Sequence, residues 1–91
     1  MSSSGSWKIV YDSGFRKELK KLDKPVAARV LNALERLESF DIPQAHCKAL
    51  SGPYAGLWRY RVGKYRVILD FDGTRLVILA LEVTHRSEIY R

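Results

Sequence analysis

Six residues in the second half of the chain carry side chains suited to chemistry on RNA. They are Arg59, Arg61, Arg66, His85, Arg86 and Tyr90. Guanidinium groups bind phosphate oxygens in pairs, histidine titrates near neutral pH, and aromatic rings stack on unpaired bases. RNA supplies its own nucleophile, the 2′-hydroxyl, so cleavage needs its deprotonation, neutralisation of the phosphorane charge and protonation of the leaving 5′-oxygen. Arginines meet the second need, and the set therefore predicts RNA chemistry without a metal.

The carboxylates and the single cysteine do not form a recognisable metal site. The carboxylates nearest the six residues show no metal-ligand spacing: Asp70, Asp72, Glu82 and Glu88. Cys47 is the one cysteine, and only His46 lies beside it, so neither a zinc site nor an internal disulfide is expected. We expect no metal, no cofactor and a reducing, cytoplasmic compartment.

The run Leu57–Asp70 predicts the element that positions the arginines, a β-hairpin. Its residues alternate about the pair Gly63–Lys64, and glycine at the first central position suits a type II′ turn. This turn fixes a register in which Arg61 faces Arg66, with Arg59 on the same side of the sheet. Directly opposed like charges destabilise a sheet by up to about 1 kcal/mol. Folding alone gives no reason for this cluster, whereas a polyanionic ligand would.

The same charges also fit a structural interpretation. Arg61 and Arg66 could form a solvated strand face balanced by Asp70 and Glu82. His85 follows the last strand, from which its side chain can reach the arginine face, yet a histidine at a strand end is also often structural. Charge placement alone leaves a phosphate-binding face and a solvated face as alternatives.

The remaining sequence predicts a small α+β domain in the order β-α-α-β-β-β, a mostly antiparallel sheet packed on an α-helical hairpin. Its elements are a strand Trp7–Tyr11, a helix capped by Asp12 or Ser13, a longer helix started near Pro25, an irregular segment 41–55 across the sheet edge, the β-hairpin, and a strand Leu76–Leu81 after a tight turn at Asp72-Gly73. The last strand is apolar on both faces, so we expect it in the interior of the sheet, covered on both sides. Trp58, Tyr60 and Tyr65 fall on the face opposite the arginines and should pack on the helices.

Length and charge set the remaining limits. With 91 residues, residues 7–91 are expected to form one domain, preceded by a disordered tail of residues 1–6. The net charge of +6 favours an acidic partner such as nucleic acid. No apolar run approaches the roughly 20 residues of a membrane span, so no membrane association is expected.

Three segments of the chain together resemble the RelE toxins of the RelE/ParE superfamily. They are Lys48–Gly52, Gly56–Ile68 and Val83–Arg91, with the patterns Leu-x-Gly, Leu-Trp-Arg-x-Arg-x-Gly-x-Tyr-Arg and His-Arg-x-x-x-Tyr. The resemblance covers nearly the whole chain from Trp7 onward. It implies a toxin of a type II toxin–antitoxin pair: a metal-independent endoribonuclease that enters the ribosomal A site, cuts mRNA, inhibits translation and is silenced by a cognate antitoxin in a hetero-oligomer.

The resemblance also implies roles for individual residues. Arg61, Arg66 and Arg86 would neutralise the scissile phosphate, and Tyr90 would lie against the substrate base or near the 2′-hydroxyl. The residues implied to hold RNA are Lys48, Arg59 and Lys64.

One departure concerns the general base. Relatives carry lysine at the positions of Arg59 and Arg61, and arginine stays protonated in proteins. The proton transfer would then fall to His85, Tyr90, Glu88 or Lys64, of which His85 needs the smallest pKa change. Two other functions stay open: a toxin of the ParE branch, which poisons DNA gyrase, and an inactive scaffold that only binds an antitoxin.

Overall fold

The computed structural model describes residues 7–85, which form two helices and a five-stranded sheet. The elements are β1 (Lys8–Tyr11), α1 (Ser13–Lys20), α2 (Lys24–Glu38), β2 (Lys48–Ala49), β3 (Trp58–Val62), β4 (Tyr65–Asp72) and β5 (Val77–His85), with short 3₁₀ turns at Pro43–His46 and Gly52–Tyr54. The predicted tail of residues 1–6 lies outside the described residues, as do Arg86, Glu88 and Tyr90.

The sheet has the strand order β1-β5-β4-β3-β2. Strand β1 runs parallel to β5, and the other three pairs are antiparallel. The α+β class and the mostly antiparallel sheet are therefore confirmed. The predicted order lacked β2, which pairs Lys48 with Arg59 at the sheet edge. A strand of two residues is too short to produce a recognisable alternation in sequence.

Both helices start where the sequence placed them, and a side chain caps the first. Asp12 caps α1, with its Oδ2 accepting a hydrogen bond from the Gly14 N–H at 2.9 Å. Asp23 precedes α2, and Pro25 occupies its first turn, where the missing N–H has no cost. Helix α1 packs on β5, and α2 lies against β1 and β3. The apolar faces of both helices and one face of the sheet form the core: Phe15, Val30, Leu34, Leu37, Val67, Leu69, Ile78 and Ala80.

The turn from β4 to β5 is longer than predicted. Asp72 Oδ1 accepts hydrogen bonds from the N–H groups of Thr74 and Arg75, at 3.1 and 3.2 Å, which opens the turn to four residues. Leu76, predicted as the first strand residue, ends this turn with a left-handed φ of 57°. Strand β5 begins one residue later and extends to His85, beyond the predicted end at Leu81.

Strand β5 lies in the interior of the sheet, as predicted, but a β-bulge interrupts its alternation. Ile68 pairs with Glu82 while Leu69 pairs with Ala80, which leaves Leu81 as the extra residue. Ala80 and Val83 both face the core as a result. The helices cover this core face alone, and we call the opposite side of the sheet the open face.

Candidate active site on the open face

The hairpin of β3 and β4 has the register that its sequence predicted. Arg61 pairs with Arg66, and Val62 pairs with Tyr65 across the turn. Gly63 has φ of 59°, whereas Lys64 is not among the residues with positive φ, which is the sign pattern of a type II′ turn. A local turn thus brings the two arginines directly opposite one another.

Two rows of cross-strand neighbours extend this pair over the open face. One row contains Arg61, Arg66 and Thr84, and the next contains Lys48, Arg59, Ile68 and Glu82. Directly paired side chains project to the same side of a sheet. The structure therefore brings Arg59, Arg61 and Arg66 together, as the hairpin pattern predicted, and the unpredicted strand β2 adds Lys48 to them. Tyr60 lies on the other side, where its hydroxyl donates to the Ala33 carbonyl oxygen of α2.

A cavity of about 350 Å³ occupies the middle of the open face. Its lining combines two arginines, a carboxylate and a hydroxyl with apolar and aromatic groups: Leu50, Tyr54, Arg59, Arg66, Ile68, Glu82 and Thr84. Arg66 is only 8 % exposed, whereas Arg61 and Lys48 are exposed to solvent. A charge held away from water interacts more strongly with a bound anion, so Arg66 is the strongest candidate for a phosphate ligand.

Three polar members of this cavity were missed as site residues by sequence reasoning. Glu82 and Thr84 reach the open face because of the bulge in β5. Tyr54, which is 56 % exposed, enters the cavity wall from the 3₁₀ turn at Gly52–Tyr54. The signal for Tyr54 was an isolated aromatic residue in a segment rich in glycine and proline, a position where apolar packing gives no reason for a ring. An exposed ring beside arginines can stack on a base.

His85 does not lie with the arginines, and the expectation that it reaches their face is wrong. It pairs with Tyr65 at the end of β5, and the two rings meet edge to face with centroids 5.1 Å apart and an interplanar angle of 89°. Tyr65 belongs to the face that packs towards the helices. An unbroken alternation from Ile78 would have put His85 on the open face. The bulge at Leu81 exchanges the two faces for the residues after it, so His85 lies on the core face.

The other predicted site residues lie apart from the cavity or outside the described residues. Lys64 is exposed in the hairpin turn and does not line the cavity. Arg86 and Tyr90 are beyond residue 85. Cys47 offers no nucleophile at neutral pH, because burial raises the pKa of its thiol to about 11.

The family of the chain follows from its sequence over almost the same range. Residues 9–90 match the model of the family described as the ParE toxin of the type II toxin–antitoxin system parDE. The chain belongs to this toxin family. No curated protein sequence matches it.

Solved structures place this toxin beside RelE proteins. It resembles a chain of the toxin–antitoxin complex RelBE2 from Mycobacterium tuberculosis, with 26 % identity, a TM-score of 0.77 and coverage of 89 % of this chain and 99 % of that one. The similarity to the archaeal RelE–RelB complex from Pyrococcus horikoshii has 28 % identity and a TM-score of 0.72, and it covers 89 % of this chain and 96 % of that one. The similarity to the isolated RelE toxin of E. coli has 26 % identity and a TM-score of 0.67, and it covers 92 % of this chain and 90 % of that one. The resemblance to the RelE/ParE superfamily is confirmed.

Among residues 7–85 of this toxin, no helix is long and apolar enough to cross a membrane. The same part of the chain holds no group of three or more histidine, cysteine or acidic side chains arranged to bind a metal ion. The charged residues that line the described cavity are Arg59, Arg66 and Glu82.

Proposed function

We propose that this toxin is an endoribonuclease that cuts mRNA in the ribosomal A site without a metal, and so inhibits translation. The observation that carries the proposal is the position of Arg66, almost buried in a cavity and directly opposed to a second arginine. Such a pair destabilises the empty sheet and becomes favourable when a phosphate lies between the two guanidinium groups. The similarity to the RelE toxin of E. coli, at 26 % identity, supports the RelE-type interpretation of the sequence.

In this proposal the arginines stabilise the charge of the transition state. Arg61 and Arg66, joined by Arg86 from the C-terminal segment, bind the non-bridging oxygens of the scissile phosphate. Lys48, Arg59 and Lys64 hold the flanking backbone. Tyr54 from the cavity wall stacks on a base, and Tyr90 from the C-terminal segment contacts the base or the 2′-hydroxyl.

Glu82 is the group that we propose as proton acceptor for the 2′-hydroxyl. Arginine does not give up its proton, and His85 lies on the other face of the sheet. Glu82 lines the same cavity as Arg66 and is its diagonal neighbour, since Arg66 pairs with Thr84. The carboxylate takes the proton from the 2′-oxygen, and that oxygen attacks phosphorus to form a 2′,3′-cyclic phosphate. The bond to the 5′-oxygen breaks at the same time, and a solvent water gives this oxygen a proton so that it leaves as a 5′-hydroxyl.

The proposed partners are mRNA, the ribosome and a cognate antitoxin, in the cytoplasm. Two of the similar structures are toxin–antitoxin complexes, which supports a hetero-oligomer with an antitoxin for this chain as well. The net charge of +6 complements both ribosomal RNA and an acidic protein segment.

A second candidate function is the poisoning of DNA gyrase. The observation that favours it is the family match, which carries the ParE description rather than that of RelE. In that case the arginine face would bind a protein, and an inactive antitoxin-binding scaffold would use it in the same way.

Primer extension on a defined mRNA separates these functions. We expect cuts at the A-site codon only when programmed ribosomes are present, and their loss in Arg66→Ala. Absence of cuts together with inhibition of gyrase supercoiling would establish the second function. Absence of both effects, with an antitoxin still bound, would identify a scaffold.

A further inference from the structure

The half of the open face that lies away from the hairpin turn is apolar along β1 and β5. On β5, Ile78 and Ala80 are buried in the core, so their neighbours Val77 and Leu79 project to the open face. Val10 of β1 pairs with Leu79 and is 46 % exposed. We call Val10, Val77 and Leu79 the apolar strip. Contiguous apolar side chains on an outer face indicate a contact with another molecule.

Charges of opposite sign flank the apolar strip on its two sides. Lys8 of β1 pairs with Val77, and Asp72 of β4 pairs with the same valine from the other side. Asp70 of β4 pairs with Leu79 in the next row. Lys8, Asp70 and Asp72 are all exposed to solvent. Across three strands the face therefore presents a cation, apolar side chains and carboxylates, in that order.

This order of charges makes the face complementary to a second copy of itself. Two identical sheets that pack face to face in an aligned manner are related by a twofold axis that runs either along the strands or across them. An axis across the strands would place β1 on β1 and β4 on β4, so like charges would meet. An axis along β5 places β1 of one protomer over β4 of its partner. Lys8 then faces the carboxylates of Asp70 and Asp72, and β5 packs on β5.

A contact through this face is small and leaves the arginines of β3 accessible. It spans β1, β5 and β4, whose neighbours lie about 4.8 Å apart, along the two rows that contain Val77 and Leu79. The total buried area falls below the roughly 1,200 Å² at which stable complexes begin, so the expected dimer is reversible. Strand β3 lies beyond β4, and Arg59 and Arg61 of both protomers therefore stay at the outer ends of the dimer.

We propose that this chain forms a reversible, symmetric homodimer through the apolar strip. The twofold axis runs along β5, and Lys8 of each protomer pairs with the carboxylates on β4 of the other. The inference depends neither on nuclease activity nor on an antitoxin. It also accounts for the sequence of β5, which is apolar on both faces although the helices lie on the core face.

Sedimentation of the full-length toxin tests the dimer. In a dilution series from about 1 mM to about 1 µM, we expect a dimer at the high end and a monomer at the low end, as mass action requires. Val10→Thr/Leu79→Thr should raise the dissociation constant about tenfold or more, because the symmetric contact loses apolar surface from both protomers. The control is Ile42→Thr, at an apolar residue that is 65 % exposed outside the strip, and it should change this constant less than twofold. A wild type that stays monomeric at every concentration would overturn the proposal.

Charge reversal tests the direction of the twofold axis. Lys8→Asp alone and Asp70→Lys alone should both dimerise more weakly than the wild type, since like charges then meet at two symmetric positions. An equimolar mixture of the two variants should recover the dimer, because both contacts of the mixed pair join opposite charges. Asp70 is chosen because Asp72 Oδ1 accepts main-chain hydrogen bonds within its own turn.

Two results of this second experiment would contradict the proposed arrangement. A dimer whose dissociation constant is the same in the wild type and in both single variants uses another surface or another axis. A mixture that stays monomeric while the wild type dimerises excludes the pairing of Lys8 with β4. Circular dichroism of each variant confirms that a lost dimer is not a lost fold.

Discussion

At the scale of single residues, the arginines of the open face differ in what surrounds them. Arg66 is 8 % exposed, whereas Arg61 opposite it is exposed to solvent. A guanidinium group held in a cavity is preorganised for a phosphate and loses little freedom on binding. This difference, rather than the number of cations, is the observation that favours the proposed catalytic face over a solvated one.

We predict that Arg66→Ala lowers the rate of mRNA cleavage on programmed ribosomes by about a hundredfold to a thousandfold, the usual cost of removing one donor to transition-state charge. The cleavage rate of Arg66→Lys, which keeps the charge but loses the planar guanidinium group, should fall between those of the wild type and Arg66→Ala. Arg75→Ala is the matched control, because the Arg75 side chain is 80 % exposed and its contact with Asp72 is long, at 3.9 Å. A loss below about threefold in folded Arg66→Ala would contradict a catalytic role.

For Glu82 we predict that Glu82→Gln slows single-turnover cleavage and removes the rise of the rate with pH that a carboxylate base produces. The comparison variant is Asp70→Asn, an exposed carboxylate of the same face that does not line the cavity. An unchanged pH profile in Glu82→Gln would assign the proton transfer to another group.

At the scale of elements, a turn of two residues sets the geometry of the arginine face. Gly63 has φ of 59°, and a side chain there would meet no atom within 4 Å. The requirement for glycine is therefore one of backbone conformation and not of space. The second turn achieves a left-handed residue differently, with Leu76 at φ of 57° and hydrogen bonds from Asp72.

We expect Gly63→Ala to lower the free energy of unfolding by about 1 kcal/mol, the strain of a left-handed residue with a Cβ. Gly73→Ala provides the control, since Gly73 also has open space around it but no positive φ. Urea denaturation followed by circular dichroism measures both. Equal stabilities of the two variants would show that the turn at Gly63 rearranges at no cost.

At the scale of the whole molecule, the parallel pairing of β1 with β5 links the two ends of the described chain. Both helices lie between these strands in sequence, and their packing on one face of the sheet buries several ionisable side chains. Burial raises the pKa of Cys47 from 9.0 to about 11, and burial also raises the pKa of Tyr11 and Tyr60. Nearby Glu38 adds to the effect at Tyr11, and Cys47 adds to it at Tyr60.

These shifts predict a loss of stability in alkali. Between pH 9 and pH 11 the unfolded chain releases protons that the folded chain retains, so the stability present below pH 9 falls as the pH rises. Urea denaturation of the wild type across this range should show the decline, and Cys47→Ala should show a shallower one because Tyr11 and Tyr60 remain. Parallel declines in the two proteins would exclude Cys47 as a contributor.

Much of the local structure was determined by the sequence itself. The register of β3 and β4, a cap at Asp12 or Ser13 and the start of α2 depend on neighbouring residues and were predicted, and the structure assigns the cap to Asp12. The opposition of Arg61 and Arg66 follows from the two-residue turn alone. The membership in the toxin family also follows from the sequence, over residues 9–90.

Only the tertiary structure decided which side chains of β5 share the open face. The bulge at Leu81 arises in the pairing of β4 with β5, and a single extra residue exchanges the two faces of every position after it. It turns His85 towards Tyr65 and brings Glu82 and Thr84 beside Arg66. The two residues of a tight turn determine its conformation, whereas a bulge depends on how distant segments pack. The sequence therefore determined the pairing of Arg61 with Arg66, and the tertiary structure determined which side chains lie beside this pair.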